Sequence, residues 1–342
     1  MKIWIDILTP KQLLFAEHII KKLKKKHVLL CTSRKYNEVT KLAKIRNFDL
    51  IFVGKYGGIR KEAKLEASID RMKKLSRKIK VFSPDLTISF CSPEAARISF
   101  GLGVKHVAFS DSPHADAVMR LTLPLIQKLF IPSIIPKNRF SKYGIEKKNI
   151  VSYNAIDATV TIKRKINQEV PIPFKDNKRK NILIRLEEEE AGYVTNSSEK
   201  IPIIKKIINE HNNENIVILG RYTQQIQNLK KIIGKKAKII KMSYDGKHLL
   251  NNTDIFIGSG GTMTAESALM GIPTISYNAV PNIIENFLMK KYLLKRETDP
   301  IKISNYIKKN LKSSKKVNQV KVKKIVEQMD DPIQELIKII KE

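Results

Sequence analysis

Short apolar runs alternate with amphipathic stretches along nearly the whole chain, and that alternation limits the folds open to it. The runs Ile3–Leu8, His27–Thr32, Leu50–Val53, Leu86–Phe90 and His106–Phe109 read as strands, with another near Leu129–Ile131. Between them, Gln12–Lys25, Asn37–Arg46, Lys61–Lys80 and Glu94–Gly101 carry apolar residues at helical spacing, and an apolar helix is expected after Arg120. Strands separated by helices build βαβ units and a parallel sheet. The pattern resumes after the proline-marked segment Val170–Phe174. Strands are expected at Asn181–Arg185, Asn215–Leu219, Lys238–Lys241, Asp254–Ile257 and Thr274–Ser276. Helices are expected at Glu199–Asn209, Gln224–Ile233 and Thr264–Met270. The chain of 342 residues therefore reads as two doubly wound α/β domains, residues 1–170 and 171–319. A C-terminal helix in residues 320–342, Val320–Lys341, is expected to cross back onto the first domain. Two such domains bind ligands in a cleft between them, at the carboxyl ends of their strands. The residues that follow each strand are thus the candidates.

The stretch "DIFIGSGGTMTAESALMGIP" is the most informative of these strand ends. The run Ile255-Phe256-Ile257 stops at Gly258, and Ser259, Gly260, Gly261, Thr262 and Thr264 follow, all small or hydroxylated. Glycines permit positive φ and close approach of another group. A helix that starts just beyond them points unpaired N–H groups and its positive dipole end at the same space. That combination suits a phosphate. The competing reading is a tight strand-to-helix turn that holds nothing.

Three strand ends in the first half carry acid–base side chains. The first strand leads into Asp6, Thr9 and Gln12; the strand Leu86–Phe90 leads into Ser92, Glu94; and His106–Phe109 leads into Asp111, His114, Asp116 and Arg120. Together they are raw material for proton transfer on a polyhydroxylated substrate. Structural readings stand beside this one. Ser92-Pro93-Glu94 has the composition of a helix start, and Asp111 and Ser112 before Pro113 could cap a helix. Asp6, at the end of an apolar strand, faces either a buried basic partner or the cleft. His114 lies outside any apolar stripe and is the histidine best placed for chemistry, whereas His18, His27, His106, His211 and His248 read as structural or solvated. In the second half, Arg185 and the acidic run Glu187–Glu190 follow a strand, and Arg185 could touch a phosphate.

The formal net charge of +32 admits three readings: nucleic-acid binding, attraction to anionic lipid, or a compositional habit of a chain rich in Lys, Ile and Asn. The lysines are spread along the chain without the interleaved aromatics of a stacking platform, so nucleic acid ranks last and peripheral contact with an anionic membrane remains open. Two cysteines, Cys31 and Cys91, supply neither a disulfide framework nor metal-ligand spacing. No uninterrupted apolar window is long enough to span a membrane, and no secretory signal opens the chain. A reducing cytoplasm is the expected compartment. Composition says nothing of oligomeric state.

The stretch "GSGGTMTAESALMGIPTISY" is similar to the donor-binding region of GT-B glycosyltransferases and of UDP-N-acetylglucosamine 2-epimerases. "MRLTLPLIQKLFIPS" resembles a helix-to-strand segment of the epimerases, with Arg120, Leu121 and Thr122 as the matching residues. More closely, "MKIWIDILTPKQLLFAEHIIKKL", "ISFCSPEAARISFGLGVKHVAFSDSPHADAVMRLTLPL" and "ILIRLEEEEAGYV" resemble a largely archaeal family catalogued as domain of unknown function number 354. The resemblance implies a GT-B-like fold of two Rossmann-type domains. It implies a nucleotide-diphosphate sugar as substrate, with no bound cofactor or metal. The glycine loop would hold the diphosphate and Glu266 the ribose hydroxyls, with Gly271 and Pro273 closing the motif. Where the epimerases carry a Gly-Asp-Thr-Thr-Ser segment, this chain has Ser92-Pro93-Glu94. The first expectation is thus a metal-independent glycosyltransferase with its base among His114, Asp111, Glu94 and Asp6. The alternatives are a nucleotide-sugar 2-epimerase and a non-catalytic binder of nucleotide sugars or polyanions.

Overall fold

The computed structural model describes residues 1–166, 172–174, 176, 178–186, 201–220, 222–234, 236–241, 244–277, 282–312 and 315–341. The run Glu187–Glu190 lies outside them. The chain divides into two units, Met1–Arg164 with Met329–Glu342, and Lys165–Gln328.

The first unit is built on a seven-stranded sheet, β1 (Lys2–Ile7), β2 (Val28–Lys35), β3 (Ile51–Lys55), β4 (Leu86–Ser89), β5 (Lys105–Phe109), β6 (Lys128–Pro132) and β7 (Ile150–Tyr153). Its order is β3-β2-β1-β4-β5-β6-β7, and every pairing is parallel. The order reverses between β1 and β4, which makes that junction the switch point where doubly wound sheets bind ligands. The period of two along β1 sorts its side chains between two cores. Ile3, Ile5 and Ile7 pack with Leu13, Phe15 and Ile19 of the helix Pro10–Leu23, while Trp4 packs on the opposite face with Leu75 and Ile79 of the helix Lys61–Phe82. Asp6 shares the Trp4 face by the same alternation.

The second unit carries a six-stranded sheet, β8 (Asn181–Arg185), β9 (Asn215–Gly220), β10 (Lys238–Lys241), β11 (Ile255–Gly258), β12 (Thr274–Ser276) and β13 (Lys295–Arg296). Its order, β10-β9-β8-β11-β12-β13, is again wholly parallel and switches between β8 and β11. Isoleucines dominate one face, where Ile182, Ile184, Ile255 and Ile257 meet Ile203, Ile207 and Ile303. Phe256, Leu183 and Val217 pack on the other.

Two expected elements are corrected by proline. The single helix Val320–Lys341 is two, Lys315–Glu327 and Pro332–Lys341. Pro332 cannot continue a helix and disfavours helical backbone before it, and the Asp331 carboxylate accepts the Ile333 N–H at 3.1 Å instead. The first of the two falls in the second unit. The other inserts Ile333 and Leu336 into the first unit's core. Likewise the helix Asp116–Thr122 gives way at Leu123–Leu125, around Pro124, to one 3-10 turn. The strand β7 carried no expectation, because Ile150–Tyr153 is a short run with only one alternation, between Asn149 and Asn154. Among the described residues no helix is long and apolar enough to cross a membrane.

Candidate functional site

At the first unit's switch point Asp6 is fully buried and bound on both oxygens by Arg71, at 2.6 and 3.1 Å. Thr32 Oγ1 donates to it at 2.7 Å, and so does Ser92 Oγ. Burial alone would raise the Asp6 carboxyl, but the Arg71 charge and these hydrogen bonds hold it below its ordinary range. Ser92 serves two roles, since its hydroxyl also accepts the Ala95 N–H at 3.2 Å and caps the helix Pro93–Gly101. Glu94, 6% exposed, accepts from Ser68 Oγ at 3.0 Å and lies 3.6 Å from Arg71. The structure therefore joins Asp6, Ser92 and Glu94 around a guanidinium that the sequence reading did not single out. One signal for Arg71 exists: it occupies the apolar stripe Ala67, Leu75, Ile79 of its helix, where only a partnered charge survives burial.

A second cluster gathers at the ends of β1, β5 and β7. Lys11, on the first turn of the helix Pro10–Leu23, forms an ion pair with Asp111 and another with Asp157 at 2.7 Å. Tyr153 Oη donates to Asp157 at 2.8 Å and Ser112 Oγ to Asp111 at 2.9 Å. Burial opposes ionisation of all three charged groups, yet the two carboxylates raise Lys11 above its ordinary value. Lys11 in turn pulls Asp111 down, whereas burial and the neighbouring Asp111 charge push Asp157 up. One carboxylate is thus held ionised while the other retains its proton more tightly. Lys11, Asp157 and Tyr153 were not legible as site residues. Asp157 follows a strand that the pattern did not reveal.

The other candidates of the first unit have plainer settings. Thr9 caps its helix through the Gln12 N–H at 3.3 Å. The Gln12 side chain accepts the Leu8 N–H at 2.7 Å and donates to the Phe90 carbonyl at 3.4 Å, tying the end of β1 to the end of β4. His114 is exposed in the loop after β5. Asp116 and Arg120 form an exposed pair one helical turn apart, at 2.8 Å.

In the second unit Arg185, at the end of β8, and Gly258, at the end of β11, flank the switch point on adjacent strands. A Cβ on Gly258 would meet Thr264 Oγ1 at 2.5 Å and the Phe256 ring at 2.7 Å, so no other residue fits. Gly260 and Gly261 take φ of 87° and 83°, the left-handed region that glycine adopts freely. The chain then enters the helix Thr262–Leu269 with no side chain capping its first N–H groups. Thr264 Oγ1 donates to the Gly260 carbonyl at 3.0 Å and closes the turn. Ser259 and Thr262 are partly exposed at the loop, and Glu266 lies on the helix, 3% exposed. Tyr277 Oη donates to the Arg185 carbonyl at 2.8 Å, fixing that strand end. Among the described residues no group of three or more His, Cys, Asp or Glu side chains is arranged to hold a metal ion.

Comparison with known proteins places these features in context. The model of the family described as protein of unknown function DUF354 matches residues 1–342, and the chain belongs to that family. The Methanocaldococcus jannaschii protein named "uncharacterized protein MJ0665" is 28% identical over 319 residues, spanning 91% of this chain and 92% of that one. Among solved structures, the UDP-GlcNAc 2-epimerase from Neisseria meningitidis bound to UDP-GlcNAc superposes with a TM-score of 0.70 at 16% identity, covering 96% of this chain and 99% of that one. The M. jannaschii UDP-GlcNAc 2-epimerase in complex with UDP-GlcNAc and UDP gives 0.66 at 17% identity over 92% and 94%. The spinosyn rhamnosyltransferase SpnG gives 0.63 at 13% identity over 100% of both chains. The fold is the GT-B-like pair of parallel-sheet α/β domains that these epimerases and glycosyltransferases have.

Proposed function

We propose that this member of the DUF354 family is a GT-B-type glycosyltransferase that uses a nucleotide-diphosphate sugar without a bound metal. The observation that carries the reading is the turn Gly258–Gly261. It leads from the second unit's switch point into an uncapped helix, with two glycines in the left-handed region. Backbone N–H groups and the helix dipole there suit a diphosphate, and Arg185 on the adjacent strand adds positive charge. Glu266 would accept hydrogen bonds from the ribose hydroxyls. Solved relatives in complex with UDP-GlcNAc support the same substrate class.

In the transfer step an acceptor oxygen bonds to the anomeric carbon as the carbon–oxygen bond to the diphosphate breaks. The electron pair of that bond leaves with the diphosphate, whose charge the helix end stabilises. The acceptor proton passes to a carboxylate of the first unit. Asp6 and Glu94 are buried against Arg71, whereas Asp111, partly exposed and kept ionised by Lys11, and the exposed His114 can be reached. We assign the proton to Asp111. A second reading, 2-epimerisation, is favoured by one observation: Asp111 and Asp157 both pair with Lys11, which sets two carboxylates side by side as candidates for proton removal and return.

Thermal shifts against a panel of nucleotide sugars test the substrate class, because a ligand of the folded state stabilises by mass action. The absence of a shift with any of them would overturn it. A transferase hydrolyses its donor slowly without acceptor, and a chelator leaves that rate unchanged. An epimerase instead incorporates solvent deuterium at the sugar C2. Asp111→Asn should lower turnover by about 100-fold or more, the low end for a general base. If His114→Ala has that effect and Asp111→Asn does not, the histidine is the base.

A further inference from the structure

Arg34 stands next to the last residue of β2, beside the first unit's switch point. Its guanidinium makes no hydrogen bond to any described residue, and its Nε is buried. A guanidinium carries five N–H donors, and a buried donor left unmatched costs free energy comparable to a lost hydrogen bond. The position is nevertheless fixed. The Arg34 guanidinium lies 4.9 Å from the centroid of the Tyr56 ring, which packs against Tyr36 at 5.0 Å. The Tyr56 N–H donates to the Lys35 carbonyl at 3.1 Å, and Gly57 fits so tightly that a Cβ would meet the Ala63 carbonyl at 2.4 Å. The loop that carries Tyr56 is therefore clamped to the helix Lys61–Phe82.

The charges that act on Arg34 are those of Glu94, Arg71 and Asp6. Both carboxylates already have a guanidinium, since Arg71 binds Asp6 at 2.6 Å and approaches Glu94 to 3.6 Å. Arg34 is stacked in place and has no hydrogen-bond acceptor among the described residues. An arginine fork matches the paired oxygens of a phosphate or a carboxylate, and parallel sheets take their ligands at this end.

We infer that the Arg34 guanidinium, held against Tyr56 at the carboxyl end of β2, binds an oxyanion of the acceptor substrate, a phosphate or a carboxylate. The assignment to an acceptor rests on the transferase reading above; the anion site does not.

Calorimetric titration of the full chain, saturated with UDP to occupy the glycine loop, tests the site with inorganic phosphate and separately with acetate. The stronger of the two names the oxyanion. Arg34→Gln and Arg34→Ala should each weaken that binding by about tenfold or more, the loss of one charge-assisted hydrogen bond. Arg34→Lys should keep part of it, since it retains the charge and loses the fork. UDP affinity should be equal in all four proteins, which also reports that the variants are folded. Failure of both anions to saturate the wild type, or equal affinity of Arg34→Gln for the anion that does bind, overturns the inference. If UDP does not bind the wild type, the transferase reading fails, and the same titrations without UDP decide the anion site alone.

Discussion

Glu266 is a carboxylate almost wholly withdrawn from water on the helix that follows the glycine turn. If it accepts ribose hydroxyls, each bond to its charge is worth about 1.5–3 kcal/mol. Glu266→Gln keeps the volume and should weaken UDP binding by roughly tenfold, while inorganic diphosphate binding, which has no ribose to read, stays the same. Equal UDP affinities in the two proteins would remove the ribose role. A different residue sets an acid limit on the fold. His106 is fully buried on β5, Nε2 meets Ser89 Oγ at 2.8 Å, and burial pushes the imidazole down to about 3. In the unfolded chain a histidine titrates near 6.5. Between those values the unfolded state binds a proton that the folded state refuses, so stability falls as pH drops. From about pH 7 to about pH 5 this group alone should remove about 2 kcal/mol. His106→Gln cannot titrate, so its urea midpoint should fall less over that interval than the wild-type midpoint.

Helix Pro332–Lys341 shows how an element far along the chain completes an early core. Ile333 and Leu336 are fully buried among the residues of β1 and the helix Pro10–Leu23. Its entry is held by Asp331, which receives Lys22 at 2.5 Å and approaches His18 at 3.4 Å. Leu336→Ala would leave a cavity in that core, and such truncations cost about 2–5 kcal/mol. Differential calorimetry should show the first unit's transition moving down and the second unit's staying in place. Movement of both together would mean that the units unfold as one.

Over the whole molecule the 65 basic residues outnumber the 33 acidic ones. Several acidic side chains are already consumed internally, such as Asp6, Asp111 and Asp157, each bound to a buried or half-buried cation. Much of the positive surplus therefore remains at the surface. Binding to vesicles that contain anionic lipid, absent with neutral vesicles and weakened by added salt, is the expected result if that surplus docks on a membrane. Equal binding to both vesicle types would point to apolar contact instead. Binding to neither would leave the lysines as a feature of composition.

The two parallel sheets, nearly all their strands and the glycine turn were written in local pattern. Strand and helix differ in the spacing of apolar residues, and a glycine that must take positive φ or tolerate a close neighbour is a local requirement. Asp6, Ser92 and Glu94 could be placed at one end of the sheet for the same reason, because each lies at or just beyond the carboxyl end of a strand. Their joining through Arg71 could not be read, since it depends on a helix far along the chain packing its buried stripe on the Trp4 face of β1. Lys11 bridging Asp111 and Asp157 needed the order β1-β4-β5-β6-β7, which brings distant strand ends together. Whether a carboxylate keeps or loses its proton depends on burial and on the charges beside it, and those exist only once the chain has folded.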